Sequence, residues 1–182
     1  MATRRRSPVK RLAFEPGQTA FPPSSRRHTI AGMDENQIKE LVRQLDTRQS
    51  AQEESAWERL RPLGASVVPY LAALYPEMKL EGRRSAVFHA IRHARTTEAA
   101  FQLGLAALND RASIVRYRAC CILAYSLRAD AIPHLEKLRS HKDQKTVEDA
   151  MAAIDAIKCQ NHHYFVDRGH SGRQFWSVNE GD

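Results

Sequence analysis

The chain has 182 residues, of which 42% are hydrophobic and 27% charged, and its net charge at neutral pH is +7. These values are typical of one folded domain with a hydrophobic core, alone or with a tail. No apolar run approaches the roughly 20 residues of a transmembrane helix, and no apolar stretch follows the first arginines as in a secretory signal. The sequence therefore predicts neither a membrane protein nor a secreted one.

The positive charge is concentrated at the beginning of the chain. Residues 1–33 hold seven basic side chains and one acid, Glu15, which gives +6 and leaves +1 for the other 149 residues. The same stretch contains four prolines and no sustained apolar period, so we expect a disordered basic arm. Three interpretations of its basic cluster at residues 4–11 stay open: a nucleic-acid arm, a targeting element, or no function.

A helix is predicted to begin directly after this arm. Asp34 is a good N-cap residue, and Gln37 at the third helical position completes a capping box. Apolar residues follow at spacings of three and four, namely Ile38, Leu41, Val42 and Leu45. Because this helix starts right after Met33, we regard Met33 as an alternative start of the protein.

Helical segments then follow one another as far as Lys158. The apolar pattern predicts helices at 34–46, 50–62, 66–76, 81–95, 97–108, 112–127, 130–140 and 145–158. The turns between them are marked by Pro62-Leu63-Gly64, Pro76, Gly82, Asn109-Asp110 and Ala129-Asp130. Connections this short place consecutive helices antiparallel to one another.

The helical region repeats with a period of about 31–33 residues, two helices per repeat. At an offset of 64, Leu63, Val68, Pro69 and Leu71 match Leu127, Ile132, Pro133 and Leu135, while Arg83 and Ala86 precede Arg116 and Ala119 by 33. One repeat is too small to bury its apolar face alone, so neighbours must stack. Helix 112–127 is apolar on two sides, as a helix between two neighbours must be. A helical bundle with coincidental spacing is the alternative.

The segment from Asn109-Asp110 through Ile114-Val115-Arg116 to Ala131-Ile132-Pro133 and Leu138 resembles the HEAT-like repeats of many bacterial and eukaryotic scaffold proteins. The resemblance covers residues 34–158. It implies an all-α, right-handed α-solenoid of about three and a half helix pairs, with Asp110 and Arg116 as structural turn residues. Some members of the wider family are metal-dependent hydroxylases with repeated His-Glu dipeptides. None of the eight histidines here precedes a glutamate, so that activity is not predicted.

The second helix of each pair is expected to line a concave face. In helix 130–140 the apolar residues Ile132, Leu135 and Leu138 should face the core, which leaves His134, Lys137 and His141 on the exposed side. The corresponding earlier positions are Tyr70, Glu77, Gln102 and Asn109. These seven residues form the candidate partner-binding row. The row is polar and mixed in charge, which also describes an ordinary solvated surface.

Residues 159–182 leave the helical pattern. Tyr164-Phe165-Val166 and Gln174–Val178 are strand-like on either side of a turn-rich segment, which predicts a short hairpin or ordered loop. Four aromatics are expected to cap the exposed end of the last helix, namely Tyr164, Phe165, Phe175 and Trp176. Donors suited to zinc also occur here, at Cys159, His162, His163, Asp167 and His170. Their spacing matches no common tetrahedral site, so no metal and no cofactor is predicted.

The tail also resembles that of small bacterial HEAT-like proteins, some of them in toxin–immunity loci. This resemblance implies a cytoplasmic protein that binds and blocks one other protein. Three cysteines without framework spacing agree with a reducing compartment. The sequence thus predicts a non-enzymatic scaffold for a protein partner. Two alternatives stay open: a nucleic-acid-binding protein that uses the Arg-rich arm, and a metal-dependent enzyme built on the His-rich tail.

Overall fold

A computed structural model of the chain describes residues 32–173, and no β-strand forms among them. Eight α-helices follow one another in this range: α1 (Glu35–Gln44), α2 (Ser50–Leu60), α3 (Val68–Leu74), α4 (Leu80–Ala90), α5 (Glu98–Ala107), α6 (Ser113–Ser126), α7 (Ile132–Glu136) and α8 (Gln144–Lys158). The predicted all-α class is confirmed for this part of the chain. Apart from Gly32 and Met33, the predicted arm lies outside the described residues, as do Gln174–Val178 with Phe175 and Trp176.

The first helix begins as the sequence predicts. The Asp34 side chain accepts a hydrogen bond from the Gln37 backbone N–H at 2.9 Å, and the Gln37 side chain accepts one from the Asp34 backbone N–H at 2.9 Å. Both halves of the capping box are therefore present. The box fixes the phase of α1, in which Ile38, Leu41 and Val42 are buried.

Two helices are shorter than predicted. The segments 66–76 and 130–140 contain only α3 and α7, extended by short 3-10 turns at Arg61–Val67, Tyr75–Glu77, Ala129–Ala131 and Lys137–Ser140. Pro69 and Pro133 both lie in the first helical turn, where the missing N–H needs no partner. A proline at this position starts a new helix, so the residues before it form a separate, tighter turn. A further 3-10 turn, Ile91–His93, extends α4.

The helices pack in two rows. In one row α4, α6 and α8 lie side by side, and in the other α1, α3 and α5 do so. The rows contact each other where α4 meets α3 and α5 and where α5 meets α6, and α7 packs on α8. Helix α6 is buried on several sides, with Val115, Ala119 and Ile122 fully inaccessible to solvent. This burial confirms the prediction that helix 112–127 lies between neighbours.

An arginine–aspartate pair recurs along the α4–α6–α8 row. The Arg83 Nε atom lies 2.6 Å from Asp110 Oδ2, and the Arg116 Nη2 atom lies 2.7 Å from Asp143 Oδ2. In each pair the aspartate follows its arginine by 27 residues. The two arginines are 33 residues apart, so the period read from the sequence is repeated in three-dimensional contacts.

The tail departs from the prediction at Tyr164-Phe165-Val166. These residues are not a strand: His162–Phe165 form a 3-10 turn, which Asn161 caps by accepting a hydrogen bond from the His163 N–H. Phe165 is buried where the turn packs on α6 and α8, whereas Tyr164 is half-buried and Val166 exposed. Burial of the Phe165 ring against two helices outweighs the β-propensity of three residues, because that propensity depends mainly on packing.

Candidate functional site

The seven residues of the predicted partner-binding row all lie on α3, α5 or α7, or in the turns that follow these helices. Five are exposed, namely Glu77, Gln102, Asn109, His134 and Lys137, whereas Tyr70 and His141 are half-buried. Tyr70, Gln102 and His134 are spaced by 32 residues, so they occupy equivalent places on the three helices. With the exposed alanines Ala73 and Ala106, we call these residues the odd-helix face.

Helices α3 and α5 of the odd-helix face are poor in charge, although the face also includes Glu77 and Lys137 in the turns that follow α3 and α7. Helix α3 contains no charged residue, and α5 contains only Glu98, at its first position. By contrast α1 and α2 hold four charged residues each. Charge depletion is typical of the centre of protein–protein interfaces, whereas ordinary solvated helices are rich in charge.

The two predicted turn residues, Asp110 and Arg116, bind the ends of neighbouring helices together. Asp110 accepts hydrogen bonds from the Tyr75 hydroxyl and Arg83 Nε, both at 2.6 Å, and from the Ala112 N–H at 2.8 Å. Burial opposes ionisation of Asp110, but these hydrogen bonds and the Arg83 charge lower the pKa of its carboxyl overall. Arg116 donates to the Asp110 carbonyl at 2.8 Å and to Thr146 Oγ1 at 2.9 Å.

The five tail residues of a type that can bind zinc do not form one cluster. His162 contacts the Tyr125 ring and lies with its Nδ1 atom 3.0 Å from Arg95. His163 has a buried Nδ1 atom with no hydrogen-bond partner among the described residues. The buried Asp167 accepts a hydrogen bond from the Gly172 N–H at 2.9 Å and so organises its own loop.

The remaining two donors, Cys159 and His170, converge on Asp155. The His170 Nε2 atom lies 2.5 Å from Asp155 Oδ2, and the Cys159 Sγ atom lies 3.7 Å from Asp155 Oδ1. All three donor atoms fall within 4.8 Å of one another. Asp155 was not among the sequence candidates, although it precedes Cys159 by four residues and therefore shares its helix face. We call these three residues the Asp155 cluster.

The Asp155 cluster lacks an activated thiol. Desolvation and the neighbouring carboxylate raise the pKa of Cys159 above its ordinary value. A nucleophilic cysteine needs the opposite shift, because the thiolate is the reactive form. The buried thiol of Cys121 is equally unsuited, since burial raises its pKa to about 12.

Between α2 and α4 lies a buried polar group that sequence analysis missed. The His89 ring stacks on Trp57 with a centroid distance of 3.5 Å, and its buried Nδ1 atom has no hydrogen-bond partner among the described residues. Desolvation, followed by the Arg92 and Arg118 charges, lowers the pKa of His89 to about 3. The imidazole is therefore neutral in the folded protein at neutral pH. No sequence signal distinguishes His89 from an exposed histidine, since α4 has apolar residues on several sides.

Comparisons of the chain with family models, with curated proteins and with solved structures found no match. Within residues 32–173, none of the helices combines the length and the apolar character needed to cross a bilayer.

Proposed function

We propose that the chain is a HEAT-like α-solenoid scaffold that binds a protein partner through the odd-helix face. The two helix rows and the arginine–aspartate pairs repeated at 33 residues support stacked helix pairs. In this arrangement α3, α5 and α7 are the second helices of successive pairs and line the concave side. The proposal includes a cytoplasmic role as an adaptor or immunity protein, in agreement with the tail resemblance.

The charge depletion of α3 and α5 carries this proposal. Apart from Pro69 and the charged Glu98 at the start of α5, their exposed positions hold Ala73, Gln102 and Ala106, none of which carries a charge that must be desolvated. Half-buried Tyr70 adds an aromatic ring, a residue type enriched at interfaces. A surface that only had to stay solvated would show the alternating charges of α1 and α2 instead.

A non-enzymatic role agrees with the side chains at hand. The Asp155 cluster has a thiol whose pKa is raised, and the buried cysteines are no more reactive. The perturbed carboxylates Asp110 and Asp143 are bound to Arg83 and Arg116, which is a structural use of charge.

Site-specific photo-crosslinking tests the proposed face. A photoreactive residue replaces Gln102 on α5 in one variant and Ser55 on α2 in the other, both exposed positions. In cells, position 102 should crosslink to one discrete partner protein while position 55 should not. Equal crosslinking at both positions, or none at position 102 while position 55 reacts, would contradict the proposal.

The charge of the arm supports a second candidate, nucleic-acid binding through residues 4–11. Residues 34–182 have a net charge of only +1, so phosphate contacts would fall mainly to the arm. Removing residues 1–32 should then abolish salt-sensitive binding to duplex DNA or RNA, measured by mobility shift at two salt concentrations, and spare a protein complex.

A further inference from the structure

Three donor groups of different chemistry meet at the end of α8. Asp155 lies in the last turn of α8, Cys159 is the C-cap residue four positions later, and His170 reaches both from the loop that follows. They come from two separate segments, so the contact depends on the path of residues 159–170 around the helix end. A surface ion pair would involve only the Asp155 carboxylate and the His170 imidazole. It would not account for the Cys159 thiol beside them.

We propose that Asp155, Cys159 and His170 bind a transition-metal ion of the zinc class. Zinc prefers cysteine sulfur, histidine nitrogen and carboxylate oxygen at about 2.0–2.3 Å, which places two tetrahedral ligands roughly 3.5 Å apart. The separations of 2.5 Å and 3.7 Å bracket this value, so small side-chain movements suffice to admit an ion. A thiolate and an imidazole also select zinc over magnesium or calcium, which prefer oxygen alone.

The loop around His170 is held so that the imidazole faces α8. The His170 ring stacks on Tyr164 with a centroid distance of 3.8 Å, and the Arg168 guanidinium lies 2.6 Å from Asp149 on α8. The buried Asp167 closes the loop through the Gly172 N–H. These contacts fix the donor before an ion arrives, which reduces the entropy lost on binding.

A bound ion would join this loop to the last helix. Asp155 also lines a groove of about 400 Å³ beside Met151, Tyr164 and Arg168, and Cys159 and His170 are exposed, so water can reach the cluster. Metal binding would therefore stabilise the end of the helical stack, because an ion that binds only the folded form adds to folding free energy. This role is independent of the proposed partner face.

Titration of the full-length chain with Co²⁺ tests the site directly. One equivalent should bind and give a thiolate-to-cobalt charge-transfer band, and Zn²⁺ should displace it. The band should be absent in Cys159→Ser. His170→Ala and Asp155→Asn each remove a metal ligand, so the affinity for Co²⁺ should fall by more than about 100-fold. Removal of a residue that only hydrogen-bonds to a ligand costs roughly 10- to 100-fold. Two histidine variants serve as controls, His134→Ala on α7 and His162→Ala in the same tail segment, and both should bind like the unmodified chain.

A second readout separates loss of binding from loss of folding. Cys120 and Cys121 are buried, so alkylation of the native protein reports on Cys159, the third of its three cysteines. Zn²⁺ should slow this alkylation, and His170→Ala should remove the protection while circular dichroism shows an intact helical fold. A charge-transfer band that persists in Cys159→Ser, or an alkylation rate that Zn²⁺ leaves unchanged in the native chain, would overturn the proposal.

Discussion

Asp110 is the side chain on which the polar contacts of the helix turns converge. Its carboxylate is almost fully buried and accepts from Tyr75, Arg83 and the Ala112 N–H. Removing it leaves the Arg83 guanidinium buried without its counter-charge. Asp110→Ala should therefore lower the free energy of unfolding by about 3–5 kcal/mol, as breaking a buried ion pair does. Urea unfolding measures this change.

Asp130→Ala is the matched control for that substitution. Asp130 also pairs with an arginine, Arg128, but both side chains are exposed and screened by water. Its removal should leave the unfolding free energy nearly unchanged. Equal losses in the two variants would mean that the Asp110 contacts are no stronger than a surface pair.

His89 should make stability depend on pH. Its folded pKa of about 3 lies below the unfolded value of 6.5, so above pH 6.5 the residue is neutral in both states and has no effect. As pH falls below 6.5, His89 becomes protonated in the unfolded chain, whereas in the folded protein it stays neutral down to about pH 3. Stability should therefore fall by about 1.4 kcal/mol per pH unit for this group, roughly 2 kcal/mol at pH 5.

Unfolding measured at pH 7.5 and pH 5 tests this prediction. His89→Phe keeps an aromatic ring against Trp57 but cannot take up a proton. The decrease in its unfolding free energy from pH 7.5 to pH 5 should therefore be smaller than that of the unmodified chain, by about 2 kcal/mol. His134→Phe, at an exposed position on α7, should retain the full loss. His162, whose pKa desolvation, His163 and Arg95 together lower to about 4, acts in the same direction and remains in both variants.

At the scale of elements, the phase of α7 is decided by two adjacent residues. Leu135 is fully buried and His134 is exposed, in the phase that the sequence predicts. Leu135→Ala should cost about 2–5 kcal/mol because it leaves a cavity. His134→Ala should cost under about 0.5 kcal/mol. Chemical denaturation measures both, and equal effects would mean that α7 is rotated about its axis.

The turn His162–Phe165 should stabilise the last two even-numbered helices through one ring. Phe165 packs 5.5 Å from the Tyr117 ring, between centroids, and is buried against α6 and α8. Phe165→Ala should lower the free energy of unfolding by about 3–5 kcal/mol. Val166→Ala, at the exposed neighbour, should change it by under about 0.5 kcal/mol. Equal decreases in melting temperature for the two variants would contradict a capping role for Phe165.

Local sequence signals predicted most elements, and tertiary packing decided the exceptions. The Asp34 capping box and the order of eight helices follow from residues close together in the chain, so they could be read directly. The bounds of α3 and α7 required knowing that Pro69 and Pro133 begin new helices within one apolar segment. Tyr164-Phe165-Val166 adopts a helical turn because of contacts with α6 and α8, which the sequence of the tail does not contain.

At the scale of the whole molecule, the odd-helix face was predictable because it repeats. Equivalent positions recur every 32 residues, so the exposed residues predicted on α7 also indicate the exposed positions on α3 and α5. The Asp155 cluster has no such repeat. It joins a helix to a loop through a path that no local pattern specifies, and Asp155 itself looks like an ordinary exposed acid in sequence. Its proximity to Cys159 and His170 is visible only in the three-dimensional structure.

Charge is distributed unevenly along the chain. Residues 1–33 carry most of the net positive charge, α1 and α2 are densely charged with both signs, and α3 and α5 are almost uncharged. Association through a charge-poor face should depend weakly on salt, whereas contacts through the arm should weaken steeply as salt rises. The salt dependence of binding therefore distinguishes the two proposed modes, protein binding through α3, α5 and α7 and nucleic-acid binding through the arm.

The most direct test of the account is the affinity of the crosslinked partner for two lysine variants, measured by calorimetry. Ala106→Lys places a charge on α5, the middle helix of the odd-helix face, near the C-terminal end of α5 where a cation does not destabilise the helix. Ser55→Lys places the same charge on α2. We predict that Ala106→Lys weakens binding by at least about 100-fold, equivalent to about 2.7 kcal/mol, with Ser55→Lys unchanged. Equal affinities for both variants would contradict the account.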